Sequence, residues 1–176
     1  PATRRFMPDG TVTFHAHDYV GARMTAKRMR ALHFDKQTIK DVSRLVELHL
    51  RFHGYADSPW SDSAVRRYVT DAGPLLARLG CLTRADVTTG NRRKAAMLSH
   101  AYDDLERRIE ALRQQEELAS IRPELDGQEI MAELGIKPGP EVGKAYKFLL
   151  DLRMERGPIG KELAREALHS WWATQQ

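Results

Sequence analysis

The sequence is poor in cysteine and has no long apolar run, and each of these features excludes a class of protein. Cys81 is the single cysteine among 176 residues, so the chain can form no internal disulfide and no cysteine-rich zinc site. A reducing, cytosolic setting is therefore expected, and the neighbours Leu79 and Leu82 predict that the Cys81 thiol is buried and inert. No stretch approaches the roughly 20 apolar residues that a membrane helix needs, so we expect no membrane partner.

The composition is that of a folded, mildly basic protein. Charged residues make up 30% of the sequence and hydrophobic residues 41%, and 28 Lys and Arg exceed 24 Asp and Glu. This balance allows a polyanionic partner without requiring one. The chain starts with "PATRRFMPDG" and lacks an initiator Met, which predicts that it is a portion of a longer protein.

Apolar residues recur with helical rather than alternating periodicity along nearly the whole chain, which predicts an all-α protein. Asp35 is expected to cap the second helix, and Gly80 to close the fourth. The expected helices before the tail cover about 15–33, 35–50, 61–69, 71–80 and 91–119. Pro123 disfavours helical geometry before it, so the predicted division is an irregular helical bundle, the body (residues 1–120), followed by a small helical tail (residues 121–176).

The longest predicted helix carries an apolar stripe with residues spaced three and four apart. Its members are Ala95, Leu98, Tyr102, Leu105, Ile109 and Leu112. Such a stripe could join two copies of the chain as a coiled-coil homodimer, although it spans less than three heptads. Packing within one molecule is the favoured interpretation.

The segment "GIKPGPEVGK" (135–144) ends one predicted helix and starts another. Gly135 is expected at a left-handed C-cap, and Pro140 in the first turn of the next helix, where its missing N–H costs nothing. The new helix leaves free backbone N–H groups at its positive end, beside Gly139 and Gly143, and such a terminus can hold a phosphate. Lysines flank this helix start at Lys137, Lys144 and Lys147.

Two interpretations of this segment remain open, and a third, a nucleotide-binding P-loop, does not fit the sequence. It is either a packed corner between helices, whose glycines allow close packing, or a contact in which amides and lysines bind nucleic-acid phosphates. A nucleotide-binding P-loop is excluded. Gly139 and Gly143 are one residue too close for GxxxxGK[ST], and Ala145 replaces the Ser or Thr that would bind magnesium.

Further basic residues cluster at two other places in the sequence. Cations at a helix N-terminus oppose the helix dipole, so those that open the longest helix have no evident role in stability there. This second predicted nucleic-acid contact consists of Arg84, Arg92, Arg93 and Lys94. A solvated surface is the favoured interpretation for the basic face of the first helix, which consists of Arg23, Lys27 and Arg30.

The segment "LDGQEIMAELGIKPGPEVGKAYKFLLDLRMERGPIGKELA" (125–164) resembles the C-terminal region of bacterial CCA-adding tRNA nucleotidyltransferases and their poly(A) polymerase relatives. That family shows the pattern L-x-G-x-[DE]-[IL]-M-x-x-L-G-I-x-P-G-P-x-[IV]-G. Upstream, "FHAHDYVGARMTAKRMRAL", "LVELHLRF" and "LTRADVTTGNRRKA" are similar to the stretch that joins the family's catalytic half to its tail. The resemblance covers almost the whole chain and is nearest to the actinobacterial branch.

The resemblance implies that this chain is the tRNA-binding portion of an enzyme whose catalytic residues lie elsewhere. In the family, an N-terminal head with magnesium, ATP and CTP transfers the nucleotides, and its G-S-x-R/K turn and aspartate pair are absent from this sequence. We therefore expect a non-catalytic, cytoplasmic segment without a metal or cofactor of its own, with tRNA and the missing head as partners. The choice among CCA, CC, A or poly(A) addition is expected to lie in the head.

Two other classes of function remain open. In HD-type metal-dependent phosphohydrolases a histidine at the position of His15 or His17 can join the metal site, and Asp86 is similar to their last aspartate. Both would need upstream ligands that this sequence lacks, so no metal ligand is predicted here. The other class is a helical dimerisation module that uses the apolar stripe of residues 95–112.

Overall fold

The computed structural model describes residues 3–14, 16–52, 54–55, 58, 60–86, 90–116, 118 and 121–175. In chain order its elements are β1 (Arg4–Phe6), β2 (Val12–Phe14), α1 (His17–Ala31), α2 (Lys36–Leu48), α3 (Asp62–Ala72), a 3-10 turn (Gly73–Leu75), α4 (Leu76–Ala85), α5 (Arg92–Gln115), α6 (Gly127–Leu134), α7 (Pro140–Arg156) and α8 (Lys161–Ala173). The all-α class is thereby confirmed, with a small antiparallel hairpin β1–β2 in addition. Within the described residues, no helix has the length and apolar character needed to cross a membrane.

The chain divides into two compact units. The first unit comprises Pro1–Pro59 and Ala72–Leu105, and the second comprises Trp60–Asp71 and Glu106–Gln176. Helix α5 therefore contributes residues to both units. The division into a body (1–120) and a tail (121–176) stays a prediction.

Helices α1 and α2 form a packed pair in the first unit. Asp35 caps α2 as predicted, because its carboxylate accepts a hydrogen bond of 2.9 Å from the Thr38 N–H. The helices approach closely at Gly21, where an added Cβ would lie 3.3 Å from Val46 Cγ1. Ile39 is among the residues that α2 buries, whereas the outer face of α1 stays exposed to solvent. The pair therefore presents a solvent-exposed surface that carries both basic side chains and large hydrophobic ones such as Tyr19 and Met24.

Two predictions for helix α4 are wrong. Gly80 does not end the helix, which continues through it to Ala85. Leu79 and Thr83 take the buried face, and the Thr83 hydroxyl donates a 2.8 Å hydrogen bond to the Leu79 carbonyl. Cys81 lies two positions after Leu79 and so points away from that face. Its thiol is exposed rather than buried.

The second unit has its own apolar core between helices α6, α7 and α8. The fully buried members are Leu125, Ile130, Ala145, Leu149, Ala164 and Leu168. Phe148 and Trp171 lie beside this core with their rings stacked at 5.0 Å between centroids. Because all of these residues come from positions 125–171, no described residue further upstream contributes to this cluster.

The apolar stripe of α5 is buried inside the chain, as the intramolecular interpretation predicts. Its buried members are Leu98, Tyr102, Leu105, Ile109 and Leu112. In the first unit, Tyr102 stacks on Phe52 at 3.6 Å between ring centroids, and its hydroxyl donates to the Thr83 carbonyl at 2.7 Å. Burial raises the pKa of this phenol above its ordinary value. These side chains are therefore occupied by internal contacts rather than available to a coiled-coil partner.

Candidate nucleic-acid interface

The predicted phosphate contact lies at the turn between α6 and α7, which we name the helix corner (residues 135–147). Gly135 ends α6 in the left-handed region, at φ 63° and ψ 30°, where glycine carries no steric penalty. Gly139 is extended, with φ 174°, and Pro140 is the first residue of α7. Both caps are as predicted. No described side chain caps the start of α7, where Pro140 has no N–H and the Val142 N–H donates to the Gly139 carbonyl at 3.2 Å. Residues 139–141 are exposed to solvent.

The three lysines of the helix corner are exposed but are not equivalent. Lys144 Nζ lies 3.1 Å from Glu141 Oε1 in a pair whose side chains are 62% and 49% exposed. Such an exposed pair contributes at most about 1 kcal/mol, so a phosphate could displace the carboxylate. Within the described part of the chain, Lys137 and Lys147 make no ion pair. Glu141 is the local feature that opposes an anion, because it already supplies negative charge to the first turn of α7.

The glycines of the helix corner do not serve internal packing. A Cβ added at Gly143 would meet no described atom within 4 Å, and one at Gly139 would meet the Lys137 carbonyl at 3.9 Å, an ordinary contact. Glycine inside a helix costs roughly 0.5–1 kcal/mol relative to alanine. Gly143 therefore lowers helix stability without any close internal contact that explains it. The open space leaves the α7 backbone accessible to an external group.

The basic cluster at the start of α5 has a well-formed helix N-terminus. Asn91 caps the helix, since its Oδ1 accepts from the backbone N–H groups of Arg93 at 3.0 Å and Lys94 at 3.1 Å. The side chains of Arg92, Arg93 and Lys94 are exposed, and none of them forms an ion pair with a described residue. We name these three residues the α5 cluster. Its charges are free to meet an external anion.

Arg84, predicted as part of the same contact, is instead held by internal partners. Its Nη2 lies 2.8 Å from Asp103 Oδ1, and its guanidinium lies 5.2 Å from the centre of the Tyr102 ring. The ion pair is partly exposed, with 34% of the Arg84 side chain and 56% of the Asp103 side chain accessible, so it contributes at most about 1 kcal/mol. Arg84 thus differs from the three residues of the α5 cluster.

Of the two histidines considered for the phosphohydrolase alternative, the structure describes His17, whereas His15 lies outside the described residues. The His17 Nδ1–H donates to the Phe14 carbonyl at 2.7 Å. Asp86 is the C-terminal cap residue of α4. Among the described residues, no three His, Cys, Asp or Glu side chains come close enough to hold a metal ion.

The structure also reveals a basic groove between α1 and α2 that sequence reasoning missed. On the α1 side, Arg23 and Arg30 belong to the basic face that the sequence predicted as a solvated surface. The α2 side adds Lys36, Lys40 and Arg44, whose spacing of four places them on one face of the helix. That spacing was a signal in the sequence, but the groove itself depends on how the two helices pack.

Comparison with known proteins identifies two relatives over nearly the full chain. The CC-adding tRNA nucleotidyltransferase of Thermus thermophilus is 36% identical over 175 residues, which cover 97% of this chain and 37% of that protein. The A-adding tRNA nucleotidyltransferase of Deinococcus radiodurans is 33% identical over 178 residues, 99% of this chain and 39% of that protein. No family model and no solved structure matches. The resemblance is therefore confirmed, and the chain spans less than two fifths of each relative's length.

Proposed function

Because the chain is related over nearly its full length to part of the tRNA nucleotidyltransferases, we propose that it is the tRNA-binding, C-terminal portion of such an enzyme. In this proposal it adds no nucleotide itself. It holds the elbow or T-arm of a tRNA through phosphates, so that the acceptor end reaches a catalytic head encoded elsewhere in the protein. Binding by backbone and shape suits an enzyme that accepts many tRNA sequences.

The observation that supports this proposal best is the exposed start of α7. It combines a helix start without a side-chain cap, a glycine with open space beside it, and two lysines, Lys137 and Lys147, that form no ion pair with a described residue. Backbone N–H groups at a helix start bind phosphate through hydrogen bonds and the helix dipole, and lysines add charge without reading sequence. A corner that served packing alone would need neither the open space at Gly143 nor two lysines, Lys137 and Lys147, without an ion-pair partner among the described residues.

Magnesium, ATP and CTP are assigned in this proposal to the head. The described residues bring no set of three metal-ligating side chains together, so they do not fit a magnesium site of their own. The share of this chain is to bind and orient the RNA, in the cytoplasm where tRNA is processed. No observation in the structure favours the phosphohydrolase alternative.

The test is a titration of the chain against a labelled tRNA lacking its CCA end, at several salt concentrations. Lys137→Ala/Lys147→Ala should weaken binding and reduce the log–log salt slope by about 1.4 to 1.8, since each lost phosphate contact removes about 0.7 to 0.9. Glu141→Gln should strengthen binding, because it removes a repelling charge and releases Lys144. Gly143→Ala should stabilise the fold by about 0.5–1 kcal/mol and yet weaken binding.

The matched control is Arg156→Ala, which removes one exposed positive charge at the opposite end of the same helix. It should leave the affinity close to that of the unmodified chain. If Arg156→Ala weakens binding as much per charge as the lysine variant, the attraction is diffuse and the helix corner is not the contact. If the tRNA does not bind at low salt, the proposed function is wrong for this portion of the protein.

A further inference from the structure

Helices α1 and α2 of the first unit enclose an open groove of about 960 Å³. Five cations from both helices line it: Arg23, Arg30, Lys36, Lys40 and Arg44. Of the described lining residues, Glu47 is the one acid, and its carboxylate lies 2.8 Å from Arg44 Nη1. The remaining four cations make no ion pair with a described residue. The groove therefore carries a positive charge that the described lining residues only partly compensate.

Two aromatic side chains in the same groove are exposed to solvent. Tyr19 is 55% exposed and Phe34 is 50% exposed. The Arg23 guanidinium lies 5.9 Å from the centre of the Tyr19 ring, so a cation and a ring already form one surface there. No cation among the described residues lies over the Phe34 ring in this way. About half of the Phe34 side chain is thus accessible to another molecule.

The turn between the helices holds Phe34 in place at a conformational cost. His33 lies in the left-handed region, at φ 57°, which residues other than glycine seldom adopt. Backbone hydrogen bonds fix this turn: His33 N–H donates to the Arg30 carbonyl at 3.0 Å, and Phe34 N–H donates to the Met29 carbonyl at 3.1 Å. Strain of this kind persists where the surrounding structure fixes a residue, and it recurs at binding sites. The backbone hydrogen bonds of the turn thus fix the position of Phe34 in the groove.

We propose that the α1–α2 groove binds a short unpaired segment of RNA, with its phosphates on Arg30, Lys36 and Lys40 and a base stacked on Phe34. Cations beside exposed aromatic rings are the combination that binds single-stranded nucleic acid. A duplex keeps its bases stacked inside, so it could use the cations but not the ring. The choice of RNA rests on the proposed function, and the site is separate from the helix corner in the other unit.

The experiment uses the whole chain and a single-stranded oligoribonucleotide of about ten nucleotides, with 2-aminopurine in the middle. Affinity is measured against salt, and stacking is measured as quenching of the 2-aminopurine fluorescence. Arg30→Ala/Lys40→Ala should weaken binding and lower the salt slope by about 1.4. Phe34→Leu should weaken binding about fivefold or more without changing the slope, and it should abolish the quenching.

Arg28→Ala is the matched control, since Arg28 is exposed on the same helix and does not line the groove. It should leave both affinity and quenching unchanged. Thermal melts of every variant show that the fold is retained, which is expected because the substituted side chains are exposed. Equal losses in Arg28→Ala and the double variant would overturn the proposal, as would unchanged quenching in Phe34→Leu.

Competitors distinguish other occupants of the groove. A blunt RNA hairpin, ATP and polyglutamate should each displace the oligonucleotide poorly. Efficient displacement by the hairpin, by ATP or by polyglutamate would identify the groove as a site for duplex RNA, free nucleotide or an acidic protein, and would overturn the proposal. If the tRNA of the previous experiment does not bind but the oligonucleotide does, the groove stands and the proposed function fails. If the tRNA binds but the groove variants bind the oligonucleotide as well as the unmodified chain does, the proposed function stands and the groove proposal fails.

Discussion

In the second unit, the carboxylate of Glu116 lies between two buried arginines. Its Oε1 is 2.8 Å from Arg66 Nε and its Oε2 is 2.6 Å from Arg153 Nη1, while Arg153 Nε is 3.7 Å from Glu124 Oε1. Only 2% of the Glu116 side chain is exposed. Gly157 makes room for the cluster, because it has φ 75° and an added Cβ would lie 2.8 Å from Arg66 Nη2. These desolvated charges depend on one another for compensation.

Substitution of Glu116 by Gln should therefore destabilise the chain strongly. The change keeps the shape of the side chain but leaves two buried guanidinium groups without their shared anion, and loss of one partner of a buried pair costs about 3–5 kcal/mol. The measurement is the free energy of unfolding from urea denaturation. Glu155→Gln is the control: its carboxylate pairs with Arg67 at the surface, with about half of each side chain exposed, and should cost at most about 1 kcal/mol. Similar losses in both variants would contradict a buried-charge origin.

Helix α6 begins with a capping box. The Asp126 carboxylate accepts hydrogen bonds from the N–H groups of Gln128 at 2.8 Å and Glu129 at 2.9 Å, and Glu129 Oε2 accepts from the Asp126 N–H at 3.0 Å. The other oxygen of Glu129 pairs with Lys161 in the first turn of α8. This carboxylate thus ties the start of α6 to the start of α8.

The hydrogen bond from Lys161, followed by that from the Asp126 N–H, holds the pKa of Glu129 below its ordinary value of 4.5. A carboxyl whose pKa is lower in the folded chain stabilises the fold above its unfolded pKa, and loses that effect as the pH falls through the folded pKa. Glu129→Gln should keep the cap but lose the charge. We expect the melting temperature of the unmodified chain to exceed that of the variant at about pH 7, and the difference to shrink below about pH 4.5.

Glu166→Gln is the control for this pH series, because Glu166 is exposed and its carboxylate has no partner among the described residues. It should show no comparable narrowing of the difference as the pH falls. A constant offset between the unmodified chain and Glu129→Gln from pH 7 to pH 3 would mean that Glu129 acts through shape alone, as an uncharged cap.

Helix ends were the most predictable part of the fold. Asp35 and Gly135 act through a side chain or a backbone angle within a few residues, so the local sequence suffices to identify them. The prediction that Gly80 ends α4 was wrong because glycine inside a helix costs only about 1 kcal/mol of stability. The burial of Leu79 and Thr83 on the inner face of α4 offsets that cost. The exposure of Cys81 follows from the same continuation of α4. Strands β1 and β2 have three residues each, too few for an alternating pattern.

The candidate interface was predictable only where it coincides with a helix start. Lys137 adjoins such a start at α7 and Arg92 adjoins another at α5, and both starts are marked in the sequence by proline or asparagine. The groove between α1 and α2 was not predictable as a site, because the helix faces that line it depend on how these two consecutive helices pack at Gly21. Tertiary packing decides which basic faces become neighbours.

At the scale of the whole molecule, the exposed cations are distributed over both compact units. The helix corner belongs to the second unit and the α5 cluster to the first. Each carries side chains without ion-pair partners among the described residues. A single tRNA is large enough to reach separate patches of this kind, so one RNA bound by both would respond to the sum of their charges. If each patch bound its own RNA molecule, each RNA would respond only to the charges of its own patch.

Combination of the two sets of substitutions separates these cases. Lys137→Ala/Lys147→Ala should lower the salt slope for tRNA by about 1.4 to 1.8, and Arg92→Ala/Arg93→Ala/Lys94→Ala by about 2.1 to 2.7. If one tRNA contacts both patches, the combined variant lowers the slope by about 3.5 to 4.5, with a stoichiometry of one RNA per chain throughout. If each patch binds its own RNA, the unmodified chain binds two, and loss of either patch reduces the stoichiometry while the remaining site keeps its own slope. Analytical ultracentrifugation with labelled tRNA measures the stoichiometry directly; we expect one RNA per chain, and a value of two would show that the two patches bind RNA independently.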